Sequence, residues 1–258
     1  MNYILGIIIA CMFYAGNCYG QKQLDNYEIT YTFYRNLGHP VQDNWKLYLD
    51  DKNSLFVIDS QLDYLSQKNP NTTTNLTSTI TTKDKIIAHL YKDFTTDSIF
   101  SQGRAFKTSY YIQDTLLDPQ WEIVDETKEI SGYNCQKALT TFRGRDYITW
   151  FTPDIPLQAG PWKLQGLPGL ILYAEDITGS IKFIAKTMKT NTPKTAKDVY
   201  NSLPKYGDNV SLREYIVEKD KEALQFLKSI MAKSSRSTLS FETTGRSNAL
   251  EITYEWEH

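Results

Sequence analysis

The sequence has few of the residues that build metal centres and disulfides. Its 258 residues include three cysteines and three histidines, and Cys11 and Cys18 lie within the first twenty positions. A zinc site needs clustered His, Cys, Asp or Glu, and none of the histidines has a partner at ligand spacing. The G-x-S-x-G, H-E-x-x-H, P-loop and G-x-G-x-x-G patterns are also missing. We therefore expect no metal, no cofactor and no familiar hydrolase or nucleotide-binding enzyme.

A basic excess is absent as well. The chain has 28 Lys and Arg against 30 Asp and Glu, a net charge of −2, which argues against non-specific nucleic-acid binding. Apolar residues make up 41%, enough for a packed core, and 18 tyrosines favour pleated strands. We interpret residues 21–258 as one β-rich domain with a helical segment over residues 190–235.

The amino-terminal residues indicate export. An uncharged apolar run over residues 3–16 is shorter than the roughly 20 residues that span a membrane. Small or neutral residues at Cys18 and Gly20 suit cleavage after Gly20, so we predict a signal peptide over residues 1–20 and no transmembrane span in the mature chain. The periplasm, the cell surface and the medium all remain open. A retained anchor and a lipoprotein modified at Cys11 are the alternatives. Cleavage leaves Cys135 alone, which excludes an internal disulfide.

Alternating apolar residues predict a series of strands. In residues 27–35, Tyr27, Ile29, Tyr31 and Phe33 share one face, as in a half-buried strand. Leu250, Ile252, Tyr254 and Trp256 alternate in the same way and predict a closing strand. Further predicted strands are residues 45–49, 55–58, 86–91 (where a helix over 86–94 is the alternative), 107–112, 121–124, 136–142, 146–151, 170–173 and 180–186. Residues 69–85 and 125–131 are polar and are interpreted as a loop and a link.

Helices are predicted late in the chain. Residues 196–203 form a short helix that ends before Pro204, and Ser211 with Glu214 makes a capping box for a helix of about 20 residues with one apolar stripe. Strands joined by hairpins and followed by helices indicate an α+β fold that is mainly antiparallel β. We expect a curved, possibly half-barrel-like, antiparallel sheet with the C-terminal helix packed on it.

The stretch from Trp150 to Tyr173 is rich in proline and combines two turn signals with an apolar strand. Gly160-Pro161 is the first signal. Leu167-Pro168-Gly169-Leu170 is the second, with proline and glycine at the positions that a type II turn favours. We expect this turn to lead directly into a buried strand that begins at Leu170.

This stretch resembles a known family. The string Gly166-Leu167-Pro168-Gly169-Leu170-Ile171 is similar to the motif of the GLPGLI proteins, exported proteins found mainly in Bacteroidetes. Residues 132–138, 142–145, 150–156 and 160–163 also resemble the family pattern, in the same order. The close similarity covers roughly residues 121–188. It implies export and kinship, and it implies no activity, because none is established for the family.

Five residues are candidates for a ligand site. Arg143 and Arg145 flank Gly144 at a predicted hairpin tip and, with Asp154, could hold an anionic group; the alternative is an Arg–Asp network that ties the hairpin to the proline-rich stretch. Trp150 and Trp162 could line a concave apolar site or belong to the core. The thiol of Cys135 is interpreted as a buried apolar group rather than a nucleophile.

Three function hypotheses follow. The first is a non-enzymatic cell-envelope protein that binds a hydrophobic ligand, a peptide or a partner chain between helix and sheet, an idea that fold analogy with periplasmic lipoprotein carriers also suggests. The second is an enzyme of unrecognised type that uses Arg143, Arg145 and Asp154, with His89 as a further candidate. The third is an interaction module that recruits another envelope protein. We favour the first, and we expect an apolar cavity between the helix and the sheet.

Overall fold

The structure is a computed structural model that describes residues 26–66, 86–105, 107–233, 246 and 249–257. The predicted signal peptide, the lipoprotein alternative at Cys11 and the polar loop over residues 69–85 lie outside the described residues.

Twelve strands within the described residues form one sheet in the order β12-β6-β5-β4-β3-β2-β1-β11-β10-β9-β8-β7. Neighbouring strands are antiparallel except β12, which pairs in parallel with β6. The strands are β1 (Tyr27–Asn36), β2 (Pro40–Leu49), β3 (Asn53–Ile58), β4 (His89–Asp93), β5 (Ser98–Ala105), β6 (Thr108–Thr115), β7 (Glu122–Ile130), β8 (Tyr133–Phe142), β9 (Arg145–Thr152), β10 (Leu170–Asp176), β11 (Ile181–Lys189) and β12 (Asp208–Ser211). The helices are α1 (Asp59–Ser66), α2 (Ala196–Ser202), α3 (Leu212–Lys233) and a 3-10 turn at Glu255–Glu257. The predicted antiparallel sheet with a C-terminal helix is confirmed.

The sheet is strongly curved, and a contact between its two ends shows this. Asp114 lies on β6, the second strand in the order, and Arg143 lies in the turn between β8 and β9 near the opposite edge. In a flat sheet these positions would be roughly 40 Å apart at about 4.8 Å per strand. Yet Nη1 of Arg143 lies 2.9 Å from Oδ2 of Asp114. The sheet therefore curls until its ends nearly meet around one concave face.

The two faces of the sheet carry separate cores. Side chains alternate along β3, so Phe56 faces one side while Leu55 and Val57 face the other. The Phe56 side, called the inner face, also carries Tyr31 and Phe183 and holds the largest buried cluster. The opposite side, called the outer face, is covered by α2, whose buried residues pack on Leu55 and Val57.

The loop over residues 153–169, here called the proline-rich loop, packs into the inner face. Leu164 and Leu167 have 0% and 1% of their surfaces exposed and belong to the same cluster as the strands. Nζ of Lys92 donates to the carbonyl of Leu164 at 3.4 Å, and the Tyr31 hydroxyl donates to the carbonyl of Ile171 at 2.6 Å. The loop thus fills one end of the concave space and leads into β10, as the sequence predicts.

The type II turn predicted at residues 167–170 is wrong. A type II turn needs a positive φ at Gly169, but Gly169 does not have one. Its N–H instead donates to the carbonyl of Leu167 at 2.7 Å, which closes a three-residue turn with Pro168 at its centre. Glycine is required here for a different reason: a Cβ would lie 2.1 Å from the carbonyl oxygen of Thr152. Close approach of the β9 backbone, and not a left-handed conformation, excludes a side chain.

Two other predictions are corrected. Residues 125–131, interpreted as a polar link, are mostly part of β7, an edge strand whose burial is slight on both faces and whose sequence therefore lacks apolar alternation. The closing strand over residues 250–256 is not formed. The backbone N–H groups of Ile252 and Thr253 both donate to the one carbonyl of Arg143, at 2.9 and 3.3 Å, instead of forming a ladder, and the chain then enters the 3-10 turn.

The predicted hairpin tip and helix start are confirmed. Arg143 and Gly144 have φ values of 46° and 80°, the pair of positive values that a two-residue type I′ hairpin needs. At the start of α3, the Ser211 hydroxyl accepts from the N–H of Glu214 at 3.2 Å, and the Glu214 carboxylate accepts from the N–H of Ser211 at 2.8 Å. Leu212, Tyr215 and Ile216 at the start of α3 are buried, whereas Phe226 is half exposed, so the predicted apolar stripe is covered only at its start.

Candidate functional site

A cavity of about 440 Å³ lies between the inner face and α3, in the position where the sequence predicts an apolar space. We call it the helix-side cavity. Its walls come from the sheet, from α3, from the proline-rich loop and from the C-terminal segment. The aromatic residues among its lining are Phe33, Trp45, Phe56, Trp162, Phe183, Tyr215 and Tyr254.

The sheet wall is a set of mutually packed rings. Phe33 on β1 stacks on Phe183 of β11 with centroids 4.6 Å apart, and Trp45 on β2 stacks on Phe56 of β3 at 4.9 Å. Antiparallel pairing sets the first contact, because Phe33 and Phe183 are directly opposite in the register of β1 and β11. The wall is therefore rigid and apolar.

The helix wall is formed by Leu212, Tyr215 and Ile216, which share one face of α3 at helical spacing. The Tyr215 hydroxyl donates to the carbonyl of Arg104 at 3.2 Å and so ties α3 to β5. Gly103 makes room for this ring, since a Cβ there would lie 2.8 Å from it. The helix is thus held at a fixed distance above the sheet.

The loop wall is Trp162, whose backbone φ of 53° is unusual for a bulky residue. Its ring packs against Phe142 at 5.9 Å and Tyr147 at 6.2 Å between centroids. Because left-handed backbone at a non-glycine residue costs free energy, the surrounding structure must hold it in place. Trp162 belongs to the inner core cluster and also lines the helix-side cavity.

Charged side chains, all largely buried except Glu255, close the rim between the hairpin tip and β6. Arg143 bonds to Asp114, to Glu251 and, through Nε at 2.8 Å, to Glu255. Lys163 of the proline-rich loop lies 2.8 Å from Asp114 and 2.6 Å from Glu251. These five residues, here called the rim cluster, join both ends of the sheet, the loop and the C-terminal segment. Arg143 is thus part of an ion-pair network, the kind of arrangement that the sequence offers as the alternative to an anion site, but its partners are Asp114, Glu251 and Glu255 and not Asp154.

The rim cluster favours the charged forms of Asp114 and Arg143. Burial raises the pKa of Asp114, but the nearby Lys163 and Arg143 outweigh it and hold this pKa below its ordinary value. Burial lowers the pKa of Arg143, and its bonds to Asp114 with the charge of Glu251 more than compensate, so the pKa is raised. Two cations facing three carboxylates thus form a satisfied network.

Arg145 belongs to a different network from Arg143. Its Nη1 lies 3.0 Å from Asp176, and its other donors bond to the carbonyls of Ala249 and Leu250 at 2.5 and 3.1 Å. Both arginines flank Gly144 at the hairpin tip, as the sequence predicts, but each is bonded to acceptors within the protein. Neither presents an unused guanidinium to a ligand in this structure.

The other candidate residues lie apart from one another. Asp154 is exposed, and Trp150 is on the side of β9 opposite Tyr147, with the Lys128 ammonium 4.0 Å from the centre of its ring. Trp162 contacts Tyr147 and lines the helix-side cavity, so only this one of the two tryptophans reaches it. The structure therefore does not bring Trp150 and Trp162 into one site.

Two groups considered for chemistry are buried. Burial raises the pKa of the Cys135 thiol to about 11, and the residue belongs to the inner core. Burial lowers the pKa of His89 to about 4, despite a contact of 2.8 Å between its Nδ1 and the carbonyl of Ile87. A protonated thiol and a neutral imidazole, each inside the protein, have little access to substrate.

Sequence reasoning places several of the residues that line the cavity on apolar faces. Phe33 follows from the alternation in β1, and Tyr215 and Ile216 follow from the apolar stripe of α3. Trp45 lies in a predicted strand without any further signal. What the sequence does not show is that these inward-facing residues leave space between them.

The described residues contain no group of three or more His, Cys, Asp or Glu side chains arranged to hold a metal ion. Within the same residues, no helix combines the length and the apolar character that crossing a membrane requires.

Comparisons with known proteins find a family and a fold. The family described as "N-glycanase peptide, N-terminal domain" matches residues 43–215, a range that includes the GLPGLI motif. No curated protein sequence matches the chain.

Two crystal forms of PNGF-II share the fold, each with a TM-score of 0.53 and 77% of this chain covered. Their sequence identities are 19% and 18%, and the aligned parts cover 33% and 34% of those chains. The chain thus spans about a third of the length of PNGF-II. A LolA superfamily protein from Nitrosomonas europaea aligns over 65% of this chain and 86% of its own at 10% identity, with a TM-score of 0.26.

Proposed function

The chain belongs to the family described as "N-glycanase peptide, N-terminal domain", and from that premise we propose that it is a non-enzymatic binding protein. Its ligand carries apolar groups, which occupy the helix-side cavity. The observation that carries the proposal is the cavity itself, about 440 Å³ walled by packed rings between the inner face and α3. Small-molecule sites are typically apolar concavities of about 300–1,000 Å³ with a few polar groups, and this cavity agrees with that description.

Catalysis is not part of the proposal. The enzymatic alternative needs Arg143, Arg145 and Asp154 to act on one substrate. Arg143 and Arg145 are instead bound to carboxylates and carbonyls, and Asp154 is exposed with its N–H bonded to Thr152. The chain also spans only a third of PNGF-II, so the activity that the family name implies is not carried over to it.

The place of action is a separate proposal. We propose that residues 1–20 are removed as a signal peptide and that the domain works in the periplasm or outside the cell, where GLPGLI-like proteins are expected. Intact mass measured on protein recovered from the cytosol, the envelope and the medium tests this. A mass that begins at Gln21 supports export, and a full-length cytosolic chain contradicts it.

Binding of a neutral apolar fluorophore, N-phenyl-1-naphthylamine, tests the ligand proposal. We expect saturable fluorescence enhancement with the wild-type chain. The Ser101→Trp variant should lose it, because Ser101 lines the cavity opposite Leu90 and Ile112, and an indole there fills the space. Thr108→Trp is the control, since Thr108 is exposed at the start of β6 and does not line the cavity.

The contradicting outcomes are specific. Equal fluorophore binding by wild type and by a folded Ser101→Trp variant would place the ligand elsewhere. The family name makes an N-glycopeptide the natural rival ligand, so its binding is measured in parallel. Tight binding of the glycopeptide with none of the fluorophore would show that apolar burial is not the basis of recognition.

A further inference from the structure

The charges that line the helix-side cavity are unbalanced. Its lining contains three side chains that carry a positive charge, Arg35, Lys163 and Lys219, and one carboxylate, Glu251. The chain as a whole has a net charge of −2, so the cavity is more basic than the protein around it. A binding site that differs in sign from its surroundings selects ligands by charge.

The carboxylate and one of the cations neutralise each other. Lys163 lies 2.6 Å from Glu251 and 2.8 Å from Asp114, within the rim cluster. Among the described residues, no carboxylate forms an ion pair with Arg35 or Lys219. On α3, the neighbouring carboxylates Glu218 and Asp220 are bonded to Lys221 and Arg246. Two positive charges at the cavity are therefore available to a ligand.

Strand and helix periodicity place these two cations at the ends of the apolar walls. Arg35 follows Phe33 by two residues on β1 and so extends the same inner face toward the end of that strand. Lys219 follows Tyr215 by four residues on α3, and its ammonium lies 5.9 Å from the centre of the Tyr215 ring. Both side chains are exposed, as the head of a bound amphiphile would be.

From these observations, and resting on the proposed function, we propose that the ligand is an anionic amphiphile. Its unbranched apolar chain lies among the rings of the helix-side cavity, and its acidic head bonds to Arg35 and Lys219 at the mouth. Charge-assisted hydrogen bonds to a carboxylate or phosphate supply the selectivity, while burial of the chain supplies most of the affinity.

Calorimetric titration of the full chain with four probes tests the proposal. The probes are dodecanoate, dodecan-1-ol, dodecylammonium and acetate, each used as a monomer. We expect dodecanoate to bind about tenfold more tightly than the alcohol, and more tightly still than the ammonium, whose charge is repelled. Acetate should not bind measurably, because it lacks the chain. Added salt should weaken the binding of dodecanoate and leave the affinity for the alcohol unchanged.

Matched variants test whether Arg35 and Lys219 bind the acidic head of the ligand. The double variant Arg35→Gln, Lys219→Gln should reduce the preference for dodecanoate over the alcohol to less than about threefold, with alcohol binding unchanged. The control Lys197→Gln, Lys228→Gln removes the same charge from exposed positions outside the cavity lining and should keep the tenfold preference. All four substituted residues are exposed, and melting curves verify that both double variants fold.

The outcomes separate this inference from the proposed function. Equal binding of dodecanoate and dodecan-1-ol overturns the anionic head and leaves apolar binding intact. A preference that survives in the Arg35 and Lys219 variant overturns the assignment of those residues. Failure of every dodecyl probe, together with failure of the neutral fluorophore, overturns the proposed function itself.

Discussion

The two ends of the inner face belong to the same sheet but are covered by different elements. At one end the proline-rich loop packs into the concave space, with Leu164 and Leu167 buried almost completely. At the other end α3 stands over the rings of Phe33 and Trp45 and leaves a cavity. A loop can follow the surface beneath it, whereas a helix is straight and touches a curved sheet only along part of its length. The difference separates a filled end from an open end.

The rim cluster lies on the boundary between these ends. Lys163 belongs to the proline-rich loop, while Glu251 belongs to the C-terminal segment that borders the cavity. Arg143 connects both to the β8–β9 hairpin. Buried ion pairs of this kind add less to stability than their number suggests, because both partners lose their hydration. Their directional bonds instead fix how the two ends are placed relative to each other.

The largest expected effect is at the filled end. Gly169→Val should destabilise the protein by about 4–6 kcal/mol, because a Cβ 2.1 Å from the Thr152 carbonyl forces β9 and β10 apart. Gly132→Val is the matched control. The φ of Gly132 is 82°, and no atom would lie within 4 Å of a Cβ added there, so the substitution should cost only backbone strain of about 1–3 kcal/mol. Urea unfolding measures both. If Gly169→Val costs no more than Gly132→Val, the close approach is not what requires glycine.

The comparison itself is tested by matched truncations. Leu164→Ala should cost about 3–4 kcal/mol, because the fully packed loop leaves an empty space that its neighbours cannot fill. Ile216→Ala should cost only about 1–2 kcal/mol, because its side chain already borders a cavity and loses fewer contacts. Denaturant titration of both variants checks the ranking. Equal losses of stability in the two variants would contradict the distinction between a packed end and an open end.

A smaller effect of opposite sign is expected at Lys92, which is fully buried near the filled end. Burial lowers its pKa from 10.5 to about 7, so between these pH values the unfolded chain binds more protons and wild-type stability rises with pH. Lys92→Met should therefore stabilise the protein by roughly 1–3 kcal/mol at pH 6–7, since the lost bond to Leu164 offsets part of the gain. This advantage should shrink as the pH approaches 10. Unfolding at several pH values measures it, and an advantage that grows with pH would contradict the burial of a charged lysine.

Much of the fold was predictable because local rules decide it. The alternation in residues 27–35, the Arg143-Gly144 hairpin and the capping box at Ser211 each depend on a few neighbouring residues, and each is confirmed. Strand β5 (Ser98–Ala105) and strand β12 (Asp208–Ser211) were missed. The first has Gly103 and mixed polarity, and the second has four residues and pairs in parallel with a distant strand.

The candidate site was harder to predict than the fold. Arg143 and Arg145 were singled out for their chemistry, but their partners Asp114, Asp176 and Glu251 are 29 to 108 residues away in the chain. Nothing local indicates such pairings. Phe33 and Tyr215 were placed on the correct faces, yet no sequence pattern tells a filled core from an unfilled one, because that depends on how a straight helix meets a curved sheet.

The most direct test of the central claim is a crystal structure of the full chain grown with dodecanoate. The account predicts density for the acyl chain between α3 and the rings of Phe33 and Trp45, with the carboxylate at Arg35 and Lys219. It also predicts that the proline-rich loop around Leu164 is unchanged. Density for the chain on the outer face, or a cavity closed by movement of α3 onto the sheet with no bound chain, would contradict it.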